Sequence, residues 1–104
     1  MIEASPEMLL EAEIRAALRA VIDPELGHNI VDLGMIYDIV VVPGGGVNVA
    51  MTTTVPGCPA TDFLRQAVEA CTKALDGVRS VTVELTYDPP WTPDMATPEL
   101  AARF

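Results

Sequence analysis

The sequence predicts an α+β fold, a two-layer sandwich with element order α-β-β-α-β and a small three-stranded sheet carrying its helices on one face. Two observations predict it. Apolar residues recur at helical spacing in two stretches, Leu10-Ile14-Leu18-Val21-Ile22 and Leu64-Ala67-Val68-Cys71-Leu75. Three other stretches read as strands: Met35–Val42 is β-branched, whereas Val47–Val55 and Val81–Tyr87 alternate apolar with polar residues. Glycine- and proline-rich turns separate all five.

Met1–Ala4 reads as a loose end, followed by Ser5 as an N-cap, Pro6 at the first helical position and Glu7 in the first turn. The apolar face decides this first helix, because an exposed Glu11/Arg15 pair adds only a few tenths of a kcal/mol. Pro24 restricts Asp23 to extended geometry and ends the helical stretch. The run from Asp23 to Gly34 has no sustained period and reads as a structured loop, a type of segment that in a short chain is more often functional than decorative. Pro43–Gly46 turns the first two strands into a hairpin. In the second strand Val47, Val49, Met51 and Val55 share the apolar face, and Asn48, Ala50, Thr52 and Thr54 share the other. The second helix is predicted from Pro59 to Asp76 with Gly77 as its stop. The third strand leaves Thr82, Glu84 and Thr86 on the polar sheet face, open to solvent, a ligand or another subunit. Asp88–Met95 is a rigid proline-rich strap carrying the lone tryptophan, and Thr97-Pro98-Glu99 caps a short last helix to Phe104.

With 104 residues, one domain spanning 1–104 is expected, and it can bury a core without disulfide staples. Its formal charge of -9 opposes nucleic acid and anionic membrane, both of which require a basic face. A KH-like nucleic-acid module, which can share the element order, also needs a basic GxxG clamp that the sequence lacks. Two cysteines make no disulfide framework, no stretch reads as a signal peptide or a membrane span, and a reducing, cytoplasmic compartment is expected.

Cys58 is the residue best placed for chemistry. It follows Pro56-Gly57 where a strand pattern passes into a helix pattern, and at a helix N-terminus the unpaired N–H groups favour thiolate, with cysteine pKa values lowered to about 3.5–7.5. The plainer reading is a small residue filling a tight turn. Cys71 belongs to the helical core stripe; along one straight helix it would lie roughly 20 Å from Cys58, too far to pair. For Asp23 and Asp32 the competing reading is turn capping, for Thr52 and Thr54 simple preference for an exposed sheet face, and for Trp91 closure of the core rather than contact with a partner. His28 lacks the partners that a metal site or a general base requires.

Taken together, Asp23-Pro24-Glu25, Val31-Asp32-Leu33-Gly34 with Ile36-Tyr37, Met51–Pro59 and Asp88-Pro89-Pro90-Trp91-Thr92-Pro93 resemble the MIP18 family, formerly domain of unknown function 59, which includes SufT-like and PaaD-like proteins. The resemblance spans nearly the whole chain in matching order. It implies an accessory or carrier factor in maturing iron–sulfur proteins, not an enzyme, on that family's α+β fold. It maps the family's cysteine onto Cys58, its acidic loop onto Asp23, Glu25 and Asp32, and its threonine pair onto Thr52 and Thr54. PaaD-like proteins carry a cysteine-rich C-terminal extension and some relatives a P-loop ATPase. Neither pattern occurs here, so a stand-alone SufT-like protein fits best.

An iron–sulfur cluster ordinarily needs four protein ligands, and one thiolate cannot hold it stably. The expectations are therefore no tightly bound cofactor, a transient cluster or iron at Cys58, a homodimer that brings two copies of Cys58 together, and partners among the assembly machinery and client apo-proteins. Cys58 acting as metal ligand, as persulfide carrier or as client-contact thiol are three readings the residues leave open. The alternative of another class is a small thiol-dependent redox enzyme using Cys58, which would call for a resolving cysteine or an activating base nearby.

Overall fold

A computed structural model describes residues 5–104, so the reading of Met1–Ala4 lies outside the described residues. The Ser5 hydroxyl accepts the Met8 N–H at 3.2 Å and Pro6 enters the first turn, where no N–H is needed, so α1 runs Pro6–Leu18. Ile14 and Leu18 are fully buried and Leu10 packs beside them. Ile22, expected on that face, is 47% exposed, because the helix has already ended and Ile22 pairs instead as an isolated bridge with Asn29.

β1 (Ile36–Val42) and β2 (Gly46–Met51) form the antiparallel hairpin, and β3 (Ser80–Leu85) joins β2 in parallel, giving the order β1-β2-β3. A parallel pair needs a crossover, which α2 (Thr61–Lys73) supplies. α1 packs on β1, α2 on β3, and the two helices on each other, so both cover one sheet face. Ile39, Val47, Val49 and Met51 are buried beneath them with Leu64 and Val68, and Val83 packs at the margin. A register shift between Ile36 and Asp38 lets Ile36 and Ile39 both point inward. Asn48, Thr82 and Glu84 lie exposed on the opposite side, as alternation requires.

Several boundaries differ from the sequence reading; α2, for one, ends at Lys73 rather than Asp76. β2 ends at Met51 rather than Val55, and the chain then turns inward: Thr52 is fully buried instead of lying on the open polar face, while Val55 is 56% exposed instead of buried. β3 ends at Leu85, and α2 begins at Thr61, two residues after Pro59. The C-terminal strap contains a single 3₁₀ turn, Pro93–Met95, and α3 covers only Pro98–Ala101. Thr97 provides no side-chain cap; its N–H instead donates to the Asp32 carbonyl at 2.8 Å.

The strap is fastened to the acidic loop at several points. Trp91 Nε1 donates to the Leu33 carbonyl at 2.7 Å, and the Tyr37 hydroxyl donates to the Pro89 carbonyl at 2.8 Å. Gly34, at φ +79°, lies so close to Met95 that a Cβ would collide with its carbonyl.

Candidate functional site

The Ile22–Asn29 bridge folds the acidic loop back on itself. The Asp23 N–H donates to the His28 carbonyl at 2.9 Å, and the Gly27 N–H donates to the Asp23 carbonyl at 2.8 Å. Asp23, 1% exposed, uses Oδ1 to accept the N–H groups of Glu25 (2.8 Å) and Leu26 (3.0 Å). This is the Asx-type turn that aspartate favours beside proline. It shapes the backbone carrying Glu25, whose exposed side chain reaches Cys58.

Cys58 sits in a turn of its own. Its N–H donates to the Val55 carbonyl at 3.3 Å, and its carbonyl accepts the Thr61 N–H at 3.0 Å and the Thr61 hydroxyl at 2.7 Å. The Val55 carbonyl also accepts the Thr53 hydroxyl at 2.9 Å, and Thr53 Oγ1 lies 2.7 Å from the Tyr87 hydroxyl. The chain Tyr87–Thr53–Val55 thus ties the end of the third-strand region to the turn that presents the thiol. Thr53 is fully buried, so its polar group depends on these partners.

The two turns meet where Cys58 Sγ donates to Glu25 Oε1 at 3.0 Å. Cys58 is only 5% exposed. The expectation of a favoured thiolate is overturned. The Glu25 hydrogen bond and burial raise the thiol pKa above its ordinary value, and the charges of Glu25 and Asp23 add to the rise. A backbone N–H at Ala60, just before α2, lowers it, as a helix entrance should, but loses to the carboxylates. Cys58 is therefore a neutral, covered thiol near neutral pH.

Residues 11–85 match the family described as iron–sulfur cluster assembly protein. The chain belongs to that family. An iron–sulfur protein maturation auxiliary factor of Porphyromonas gingivalis is 43% identical over 89 residues, covering 86% of this chain and 85% of that protein. An iron–sulfur cluster carrier protein of Synechocystis is 37% identical over 83 residues, 80% of this chain but 23% of that longer protein. Among solved structures, a domain of unknown function 59 from Bacillus anthracis superposes with a TM-score of 0.88 at 30% identity, covering 93% of this chain and 92% of its own.

In this iron–sulfur assembly family member the other sequence-predicted residues are placed as follows. Asp32 is committed elsewhere: its Oδ2 accepts Asn29 Nδ2 at 2.9 Å, its Oδ1 lies 3.4 Å from Arg19 Nε, and its N–H donates to Asn29 Oδ1 at 2.9 Å. It shapes the second half of the loop, whereas Asp23 and Glu25 act on the thiol. The Thr52 hydroxyl donates to the Thr53 carbonyl at 3.2 Å, and Thr54 is half-buried. Trp91 packs on the core and meets Phe104 edge to face at 6.2 Å, so it closes the core from outside. Cys71 is half-buried against the core, and both cysteines are free. Sequence reasoning misses Thr53 and Tyr87; Tyr87 lies two residues past the end of β3, so the strand alternation that puts it on the apolar face does not reach it.

Among the described residues, no three His, Cys, Asp or Glu side chains converge as a metal site. Cys58 offers one thiol, and the Glu25 carboxylate beside it accepts that thiol's proton, so the turn supplies fewer than the four ligands an iron–sulfur cluster ordinarily needs.

Proposed function

We propose that this protein is an accessory factor, not an enzyme, in the maturation of iron–sulfur proteins, and that it takes iron or a cluster as transient cargo at Cys58. The names of its relatives support the accessory and carrier roles. The observation that carries the mechanism is the 3.0 Å hydrogen bond from the Cys58 thiol to the Glu25 carboxylate. Metal binds thiolate, so the Cys58 proton must leave as the sulfur–metal bond forms, and Glu25, exposed on its outer side, receives it and passes it to water. Because the site favours the protonated thiol, the cost of deprotonation is subtracted from metal affinity. The cargo is thus held weakly and released to a client whose own thiols complete the coordination. At rest, the protonated and covered thiol is shielded from oxidation, which proceeds through thiolate.

A homodimer, the assembly machinery and client apo-proteins are the partners that this reading invokes, in the cytoplasm. No helix among the described residues is long and apolar enough to cross a membrane. A thiol redox enzyme is less well supported, since Cys71 lies in the α2 core stripe. The test is anaerobic reconstitution with iron and sulfide. Wild type should develop cluster absorbance that Cys58→Ser lacks, and equal absorbance in the two would remove Cys58 as a ligand.

A further inference from the structure

One cavity among the described residues lies away from Cys58. It measures about 480 Å³ and lies between the start of α1, the β1–β2 hairpin tip and the Asp76-Gly77 turn after α2. Leu9, Leu10, Val41 and Val42 give it apolar walls, with Leu9 and Val42 themselves 56% and 50% exposed. Glycines allow these three elements to come together. Gly77 sits against Leu10, and Gly45 is so close to the Gly77 carbonyl that a Cβ would not fit.

The charge around this groove has one sign. Glu7, Glu13 and Asp76 line it, and no lysine or arginine does. Four of the six basic side chains are paired with other carboxylates, Arg15 with Glu11, Arg19 with Asp32, Arg65 with Asp62 and Arg103 with Glu99. Arg79 runs beside Gly45 at the hairpin tip but is not part of the lining. Among the described residues the three groove carboxylates enter no ion pair.

We infer that this groove docks a cationic amphipathic segment of a partner protein, whose apolar side chains enter between Leu9, Leu10 and Val42 while its lysines or arginines meet Glu7, Glu13 and Asp76. Charge selects this occupant. A second copy of the chain carries -9 and an equally acidic groove, and nucleic acid or anionic lipid would be repelled in the same way. The position is also informative. The groove lies at the Val42–Gly46 end of the hairpin, whereas the Cys58 turn follows Met51 at the other end of β2, about 17 Å away along the strand. A partner held there does not reach the Cys58 turn, so docking and cargo exchange occupy separate surfaces.

The test uses the full chain, isotopically labelled, titrated with an amphipathic leucine–lysine peptide and followed by NMR. The expected result is saturable shifts centred on Leu9, Leu10, Val41, Val42 and Asp76, with affinity reduced about tenfold in the combined Glu7→Gln, Glu13→Gln, Asp76→Asn variant. A leucine–glutamate peptide and a glycine–lysine peptide should each bind far more weakly, since each lacks one half of the match. Undiminished binding to the triple variant, shifts spread over other acidic surfaces, or no shift at all would overturn the inference. Cys58→Ser should bind the peptide like wild type, so failure of the groove is distinguishable from failure of the thiol mechanism.

Discussion

Cys58 Sγ donates a 3.0 Å hydrogen bond to Glu25 Oε1, joining two turns that are 33 positions apart in the chain. The bond is the largest influence raising the pKa of the site's only thiol among the described residues, and it links the shape of the acidic loop to the chemistry of the cysteine turn.

Replacing Glu25 by Gln removes the negative charge and weakens the acceptor while keeping the side-chain shape. The Cys58 pKa should fall toward its ordinary value, and alkylation at neutral pH should accelerate. Measuring the pH profile of iodoacetamide labelling in a Cys71→Ala background isolates Cys58. An unchanged profile would mean that Glu25 does not control the thiol.

The same shift has a consequence for stability. Cys58 is raised in the folded state, so the folded protein prefers the proton more than the unfolded chain does. The stabilisation is complete below the ordinary thiol pKa and is lost as pH climbs through the higher folded value. Urea unfolding of wild type and Cys58→Ala should therefore show a difference that is constant through neutral pH and narrows on the alkaline side. A difference that grows with alkalinity would contradict the sign.

Tyr87→Phe removes one hydroxyl from the Tyr87–Thr53–Val55 chain. A modest stability loss of about 1 kcal/mol is expected, together with a change in the Cys58 labelling profile because the Val55 carbonyl also holds the Cys58 N–H. Thr53→Val, which leaves no polar link at all, should move the profile further. A stability loss with an unaltered profile in both variants would make the chain purely structural.

Gly34→Ala places a Cβ against the Met95 carbonyl at a positive φ. Loss of about 2 kcal/mol or more is expected, with partial release of the strap. Thermal melting, with Trp91 fluorescence reporting solvent exposure, checks it. A melt unchanged from wild type would show that the strap does not depend on this close approach.

The helices, the hairpin and the third strand were legible because their spacing is local and strongly periodic: Ile14 and Leu18, or Val47, Val49 and Met51, land where periodicity puts them. What failed was extrapolation beyond the last paired residue. Alternation carried past Met51 assigned Thr52 to the outside and Val55 to the inside, but once the chain left the ladder it turned, and both assignments reversed. The site divides in a similar way. The acidic loop and Cys58 could be singled out from their turn residues, yet Glu25 was one acid among three. Its selection depends on the Asp23 turn aiming it, a tertiary fact. The pKa expectation failed for the same reason. The helix entrance does lower the thiol pKa, but a carboxylate from a distant part of the chain outweighs it.

The central claim is that Glu25 keeps the Cys58 site weak so that cargo leaves. It is tested most directly by loading wild type, Glu25→Gln and Cys58→Ser anaerobically with iron and sulfide, then following iron release to an excess of chelator. The account predicts that Cys58→Ser loads little or nothing and that Glu25→Gln releases iron more slowly than wild type. Equal loading by Cys58→Ser, or faster release from Glu25→Gln, would contradict it.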